Sequence, residues 1–213
     1  MSAARGPGRP KDDAKRAAII AAAKDLFRER GFDEVSMEAV AAAAGVSKMT
    51  IYGHFHDKAA LFAASVRSFS EAMLRDGTEA AEGAGARDLQ HVLVASGVAL
   101  MRLMLDLQVA RMCHVLMGTL MKNPALAQLL HEAGAGHFER ELAVVIQAAA
   151  DRGELAVDSA LAATEDLTNL WLGDMQRRVA MGVVAPLSEA EIEARARRAV
   201  AVFLRAYRAP SRM

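Results

Sequence analysis

Val40-Ala41-Ala42-Ala43-Ala44-Gly45-Val46-Ser47-Lys48-Met49-Thr50-Ile51-Tyr52 reads as two short helices meeting at one tightly specified corner. Gly45 ends the alanine-rich run, because glycine takes a positive φ without a Cβ clash. Ser47 is placed to cap the helix that follows, its hydroxyl accepting from a backbone N–H one turn on. Val40, Val46 and Ile51 are the large apolar residues able to pack the two helices together, while Ala41 and Ala44 let the backbones approach. Lys48, Met49, Thr50 and Tyr52 then face outward. A cation, a thioether, a hydroxyl and a phenol on an exposed first turn suit a major groove, where helix N-termini meet base edges and phosphates. An ordinary corner of an all-helical protein is the competing reading of the spacing alone.

Working outward, Ile19, Ile20, Ala23, Leu26 and Phe27 recur at the three-and-four spacing of an amphipathic helix over 17–30, which Gly31 stops. Ser36 is the next N-cap candidate. Downstream, Gly53-His54-Phe55-His56 breaks the short helix, Asp57 caps a new one, and Leu61 and Phe62 open its buried face. Taken together, Leu26-Phe27 with Gly31-Phe32, Ser36-Met37, Ala44-Gly45-Val46-Ser47, Thr50-Ile51-Tyr52, His54-Phe55 and Lys58 resemble the DNA-binding domain of the TetR family of transcriptional regulators, from about Ala14 to Val66.

That resemblance implies that Thr50, Tyr52, His54 and Lys58 contact the DNA backbone, each able to donate to a phosphate oxygen. Lys58 would add its charge to the free N–H groups at the start of its helix. Ser36 and Ser47, capping helices that start at the duplex, are further phosphate candidates. Two positions depart from the family. Met49 stands where a small residue or proline is common, so its thioether either touches a thymine methyl or fills space. Gly53 follows the tyrosine and has no side chain to read with. Direct readout therefore falls on Lys48, Met49 and Thr50.

Ahead of the first helix, residues 3–11 are rich in Gly and Pro and basic at Arg5, Arg9 and Lys11, predicting a flexible, non-helical arm over residues 1–13. Arg5 and Arg9 are suited to a narrow minor groove, and a solvated tail is the competing fate. Residues 14–56 then form the helix-turn-helix domain. Residues 57–213 form a connecting helix with a ligand-binding and dimerisation domain.

Composition narrows the remaining classes. With 53% apolar residues over 213 positions, the chain can bury a substantial core. Neither a run as long as a membrane span (~20 residues) nor a secretory leader is visible, and a single cysteine, Cys113, allows no internal disulfide. These features predict a cytoplasmic protein with no membrane partner. Residues 1–60 hold ten Lys or Arg against eight acids, and the remainder sixteen against eighteen, a small basic excess at the end that would face DNA.

Beyond Leu61 the chain reads as helix throughout, with helices predicted at about 57–82, 88–105, 107–122, 125–152, 158–183 and 188–208. Between Arg111 and Tyr207, Asn123-Pro124-Ala125-Leu126 and Arg152-Gly153-Glu154-Leu155 are similar to the C-terminal domain of an AcrR/AefR-like TetR subgroup that includes regulators of efflux and of signalling. Members of the family bind small molecules there. Met101, Met104, Met112, Met117 and Met121 fall on successive turns, with Phe69, Met73, Phe138, Leu142, Leu170 and Trp171 available from neighbours. Such a stripe is either core or the adaptable wall of a pocket for an apolar effector. His114, Gln108, Gln147, Asn169 and Asp166 are polar candidates for orienting it. His54 with His56, and His131 with His137, match no metal-ligand spacing, and no nucleophile motif occurs, so neither metal, cofactor nor enzymatic activity is expected. Cys113 reads as a small buried apolar residue, with thiol sensing as the alternative.

Two long faces remain. Ala160, Ala163, Leu167, Leu170, Trp171, Asp174 and Met175, then Ile192, Ala196, Ala199, Val200, Phe203, Leu204 and Tyr207, predict a four-helix bundle across a two-fold axis. The expectation is an all-α protein: an N-terminal three-helix helix-turn-helix domain and a C-terminal helical ligand-binding and dimerisation domain. Its function would be that of a dimeric repressor, released from a palindromic operator by a small, largely apolar ligand. A constitutive architectural DNA binder that only dimerises, and a helical protein without DNA function, are the rival readings.

Overall fold

The computed structural model describes residues 9–83 and 88–209, with the side chains of 9–11, 73, 74 and 76–83 outside the description. Eleven helices follow among the described residues: α1 Arg9–Glu34, α2 Met37–Ala43, α3 Lys48–His54, α4 Lys58–Gly83, α5 Leu89–Met104, α6 Leu107–Leu120, α7 Pro124–Ala133, α8 Ala135–Asp151, α9 Ala160–Leu172, α10 Met175–Ala180 and α11 Glu189–Tyr207. The chain divides into two compact units, Met1–Ser68 and Phe69–Met213, the boundary falling inside α4. No single described helix is long and apolar enough to cross a membrane.

In the first unit the three-and-four pattern closes a core of Ile19, Ala23, Phe27, Val40, Ile51, Phe55 and Leu61. Phe62 joins it, its ring 4.6 Å from that of Phe27 and 5.1 Å from that of Phe32. Gly31 breaks α1 as expected, at φ 79° and ψ 175°. The start of α1 does not follow the expectation, because helix already begins at Arg9, inside the segment read as a non-helical arm. Pro10 is no obstacle there, since the first turn of a helix has no use for its missing N–H.

In the second unit α5 packs against α11 and α9, and α8 against α9 and α7. Their buried faces meet in one cluster that includes Leu93, Met101, Phe138, Leu142, Ile146, Leu167, Trp171, Val200 and Phe203. Two long helices expected from the sequence are each broken. The one predicted over 125–152 splits at Gly134, which ends α7 and begins α8. Gly136 lets the bend close, because a Cβ there would stand 3.1 Å from both the Nε2 and the carbonyl oxygen of His131. The one predicted over 158–183 splits at Gly173, with φ 51°. Arg195, from α11, donates to the carbonyls of Trp171 at 2.5 Å and Leu172 at 3.2 Å, and so satisfies the exposed end of α9.

The faces assigned to a dimer bundle are also corrected. Ala163, Leu167, Trp171 and Met175, with Ile192, Ala196, Ala199, Val200, Phe203 and Leu204, are buried within the chain's own core. A backbone tether fixes the far end of α11: Ala156 N–H donates to the Tyr207 carbonyl at 2.7 Å, and Ala209 N–H to that of Glu154 at 3.2 Å.

Candidate nucleic-acid interface

The corner between α2 and α3 is built by local chemistry. Gly45 adopts φ +65°, its N–H donates to the Ala42 carbonyl at 3.2 Å, and the Val46 N–H donates to that of Ala41 at 2.9 Å. This paired closure satisfies the last carbonyls of α2 and sets the direction of the next segment. Ser47 then caps α3, its Oγ accepting from Thr50 N–H at 3.1 Å and lying 2.9 Å from Thr50 Oγ1. Ser36 caps α2 in the same way, through Ala39 N–H at 3.1 Å. Asp57 caps α4, accepting from Ala60 N–H at 2.7 Å. Each is a short polar side chain satisfying a donor that the helix start leaves orphaned.

With Ile51 fully buried as the anchor, the first turns of α3 present the other side chains to solvent. Met49 is 87% exposed and Tyr52 43%. Lys48 lies 2.5 Å from Glu38 Oε1 of α2 and 5.8 Å from the centre of the Tyr52 ring. The hydrogen bond with Lys48 holds the Glu38 carboxyl below its ordinary range, and the same contact raises the Lys48 ammonium.

Two further candidates already have partners within the first unit. His54 Nε2 stands 3.2 Å from Asp12 Oδ1, with the side chain only 11% exposed. Lys58 Nζ donates to the Asp33 carbonyl at 3.1 Å and sits 4.6 Å above the Phe32 ring, tying α4 to the end of α1. Arg5 lies outside the described residues, as does the side chain of Arg9, whose backbone is helical.

The residues assigned to an effector are not brought together. Met101, Phe138 and Trp171 are buried in the core of the second unit. Met104 is half-buried, its sulfur 3.5 Å from Gln176 Nε2, and Met112 is half-buried on α6. Met117 at 55% and Met121 at 80% exposure point to solvent, as do His114 and Asn169. Met73 has its side chain outside the description.

A groove of about 950 Å³ opens elsewhere, between α4, α5 and α11. Its floor is Phe69, Ala72, Val94, Ala95, Val98, Ala99 and Leu103, and its rim is His91, Arg102, Glu189, Glu193 and Arg197. Arg102 Nε donates to Glu189 Oε2 at 2.8 Å, and Arg197 pairs with Glu193, so the charges at the mouth neutralise each other. Of these lining residues only Phe69 was legible as a candidate. The others carry no signal in sequence, because the groove exists only where α11 returns to α5.

Comparison with known proteins agrees with this geometry. Residues 19–65 match the family described as bacterial regulatory proteins, tetR family, and residues 91–209 match the AefR-like transcriptional repressor C-terminal domain. An HTH-type transcriptional regulator of Mycobacterium tuberculosis, Rv1556, is 28% identical over 158 residues, covering 73% of this chain and 71% of that protein. YdeS of Bacillus subtilis, another HTH-type transcriptional regulator, is 48% identical over 54 residues, but the match spans only 25% of this chain and 27% of that one. Among solved structures, a TetR-family regulator of Mesorhizobium loti superposes with a TM-score of 0.74 at 25% identity, covering 94% of this chain and all of that one. The flavonoid-responsive regulator FrrA superposes with a TM-score of 0.65 at 30% identity, over 94% of this chain and 100% of its own. With both family models matched in chain order and α3 exposed between its caps, this chain belongs to the TetR family of DNA-binding transcriptional regulators.

Proposed function

We propose that the protein is a homodimeric repressor of a palindromic operator, released by a small, neutral, largely apolar effector. The observation that carries this reading is the exposed first turn of α3, where Met49 and Tyr52 stand free on a helix locked by Ser47 and Ile51. The match of residues 91–209 to a repressor C-terminal domain supports the sign of control. Phosphate contacts fall to Ser36, Ser47, Thr50 and Tyr52, and to His54 and Lys58 once their present partners are exchanged. Dimerisation through the two helical segments assigned to it uses the outer sides of α9 and α11, where Leu161, Leu170 and Val202 are exposed, because the inner sides are occupied.

The effector seat supported best is the groove between α5 and α11. Its floor is apolar and its rim ions are already paired, so an uncharged ligand would enter without stranding a charge. FrrA is named for flavonoids, and planar phenolics are accordingly the probes of choice. Release is a population shift: the effector must bind the conformer that holds operator poorly more tightly than the one that holds it well.

The test is selection of bound sequences from a random duplex pool, with stoichiometry and salt dependence measured on the winning site. An enriched palindrome bound by two chains, weakened by a flavonoid in the wild type and not in Ala99→Trp, is the expected result. A single asymmetric site would refute the dimer. Binding that no phenolic alters would refute this effector class and favour a constitutive binder.

A further inference from the structure

Glu38 is an unexpected residue to find on a surface that meets a polyanion. It lies in the first turn of α2, its side chain is 53% exposed, and it holds Lys48 of α3 at 2.5 Å while Lys48 itself is 65% exposed. A contact so open to water does little to hold two helices that Val40 and Ile51 already fix. Against DNA in general it is unfavourable, because it cancels the first cation of the reading helix and leaves a carboxylate facing phosphates.

The pair does suit one target. On the major-groove edge of a G·C pair, guanine O6 accepts and cytosine N4 donates, side by side and themselves hydrogen-bonded at about 2.9 Å. Lys48 Nζ and Glu38 Oε1 present the complementary donor and acceptor at nearly the same spacing. Lysine reads O6 and N7 of guanine, and a carboxylate accepts from cytosine N4. The Tyr52 ring also stands 5.8 Å from Lys48 Nζ.

We propose that Glu38 and Lys48 act as one unit that reads a G·C pair in each half-site, with Glu38 the specificity-determining carboxylate on cytosine. This rests on the DNA-binding function and adds to it a residue of α2 and the base pair it selects. Being neutral as a unit, the pair adds selectivity without adding to binding of random DNA.

The experiment is selection from a random duplex pool by the full chain as wild type, as Glu38→Gln, and as the double exchange Glu38→Lys with Lys48→Glu, with salt slopes on operator and random duplex. Wild type should enrich one G·C pair per half-site that Glu38→Gln relaxes by about tenfold, other positions holding. Glu38→Gln should also bind random DNA more tightly, with a slope steeper by about one unit. In the double exchange the same base pair should reappear with its strands interchanged. Wild-type enrichment that Glu38→Gln leaves intact at every position would overturn the proposal while sparing sequence-specific binding. No enrichment by wild type would overturn both. Unchanged thermal midpoints confirm that the variants fold, as their exposure leads one to expect.

Discussion

Gly97→Ala puts one methyl group where the fold has no room for it. An ideal Cβ at Gly97 would stand 2.4 Å from both Cε2 and Nε1 of Trp171 and 2.9 Å from its Cδ1. The indole cannot swing away, because Trp171 is fully buried among Met101, Leu142, Leu167 and Phe203. Overpacking of this kind costs about 1–3 kcal/mol, and contacts this short belong at the upper end. Alanine in the middle of α5 returns about 0.5–1 kcal/mol of helix propensity. The net loss is then about 2 kcal/mol, or a fall in Tm of roughly 4–8 °C for a chain of this size. Helical circular dichroism reads the midpoint in every variant, since Trp171 is the one tryptophan of the sequence and one background below removes it. Gly53→Ala is the control, since nothing lies within 4 Å of its Cβ and the same propensity gain should stabilise α3. In a Trp171→Phe background the clash is largely removed and no hydrogen bond among the described residues is lost, because the indole N–H has no partner there. The cost of Gly97→Ala should there shrink by about 1 kcal/mol or more. A Tm unchanged by Gly97→Ala, or equal costs in both backgrounds, would refute the packing argument.

Other substitutions test separate links. Ser47→Ala removes the acceptor of Thr50 N–H and should cost about 1 kcal/mol, with Ser47→Gly milder; thermal unfolding decides, and equal losses would deny the cap its role. Arg195→Ala leaves the carbonyls of Trp171 and Leu172 without their shared donor, at about 2 kcal/mol, and Arg195→Lys should recover part of it. Burial pushes the Cys113 thiol up, against a smaller opposing pull from Gln176, so less thiolate is present at neutral pH than in an unfolded chain. Alkylation should therefore run slower than for a free cysteine peptide and accelerate only well into the alkaline range. Rapid labelling at neutral pH would restore the thiol-sensing reading.

The corner was legible because everything that makes it lies within a few residues. Gly45 needs only its own φ and the carbonyls of Ala41 and Ala42, and Ser47 needs only Thr50. The methionine stripe was not legible, for a geometric reason. Met101 and Met104 lie on α5, Met112 and Met117 on α6, and the two helices meet at 69°. Spacing that is regular in sequence therefore does not continue one face in space, and Met101 is buried while Met117 looks out. Small and apolar residues at helical spacing similarly announce that α11 packs closely without naming its partners, which are α5 and α9 of the same chain. The break at Gly173 depends on a guanidinium from α11, which no local pattern announces.

Charge placement connects these structural facts to selectivity. Three groups that the sequence offers as DNA contacts already have acceptors within the first unit: Lys48 has Glu38, Lys58 has the Asp33 carbonyl, and His54 has Asp12. Each phosphate contact they make must then replace an existing interaction, so its net contribution is smaller than that of an uncommitted cation. Random duplex offers only phosphates in exchange. On the readout proposed above, an operator offers base edges as well, at Met49 and at the Glu38–Lys48 pair, so committing the cations lowers non-specific affinity more than specific affinity. Since a genome presents vastly more random sites than operators, this ratio governs occupancy, and cations already committed within the first unit are the arrangement that favours it.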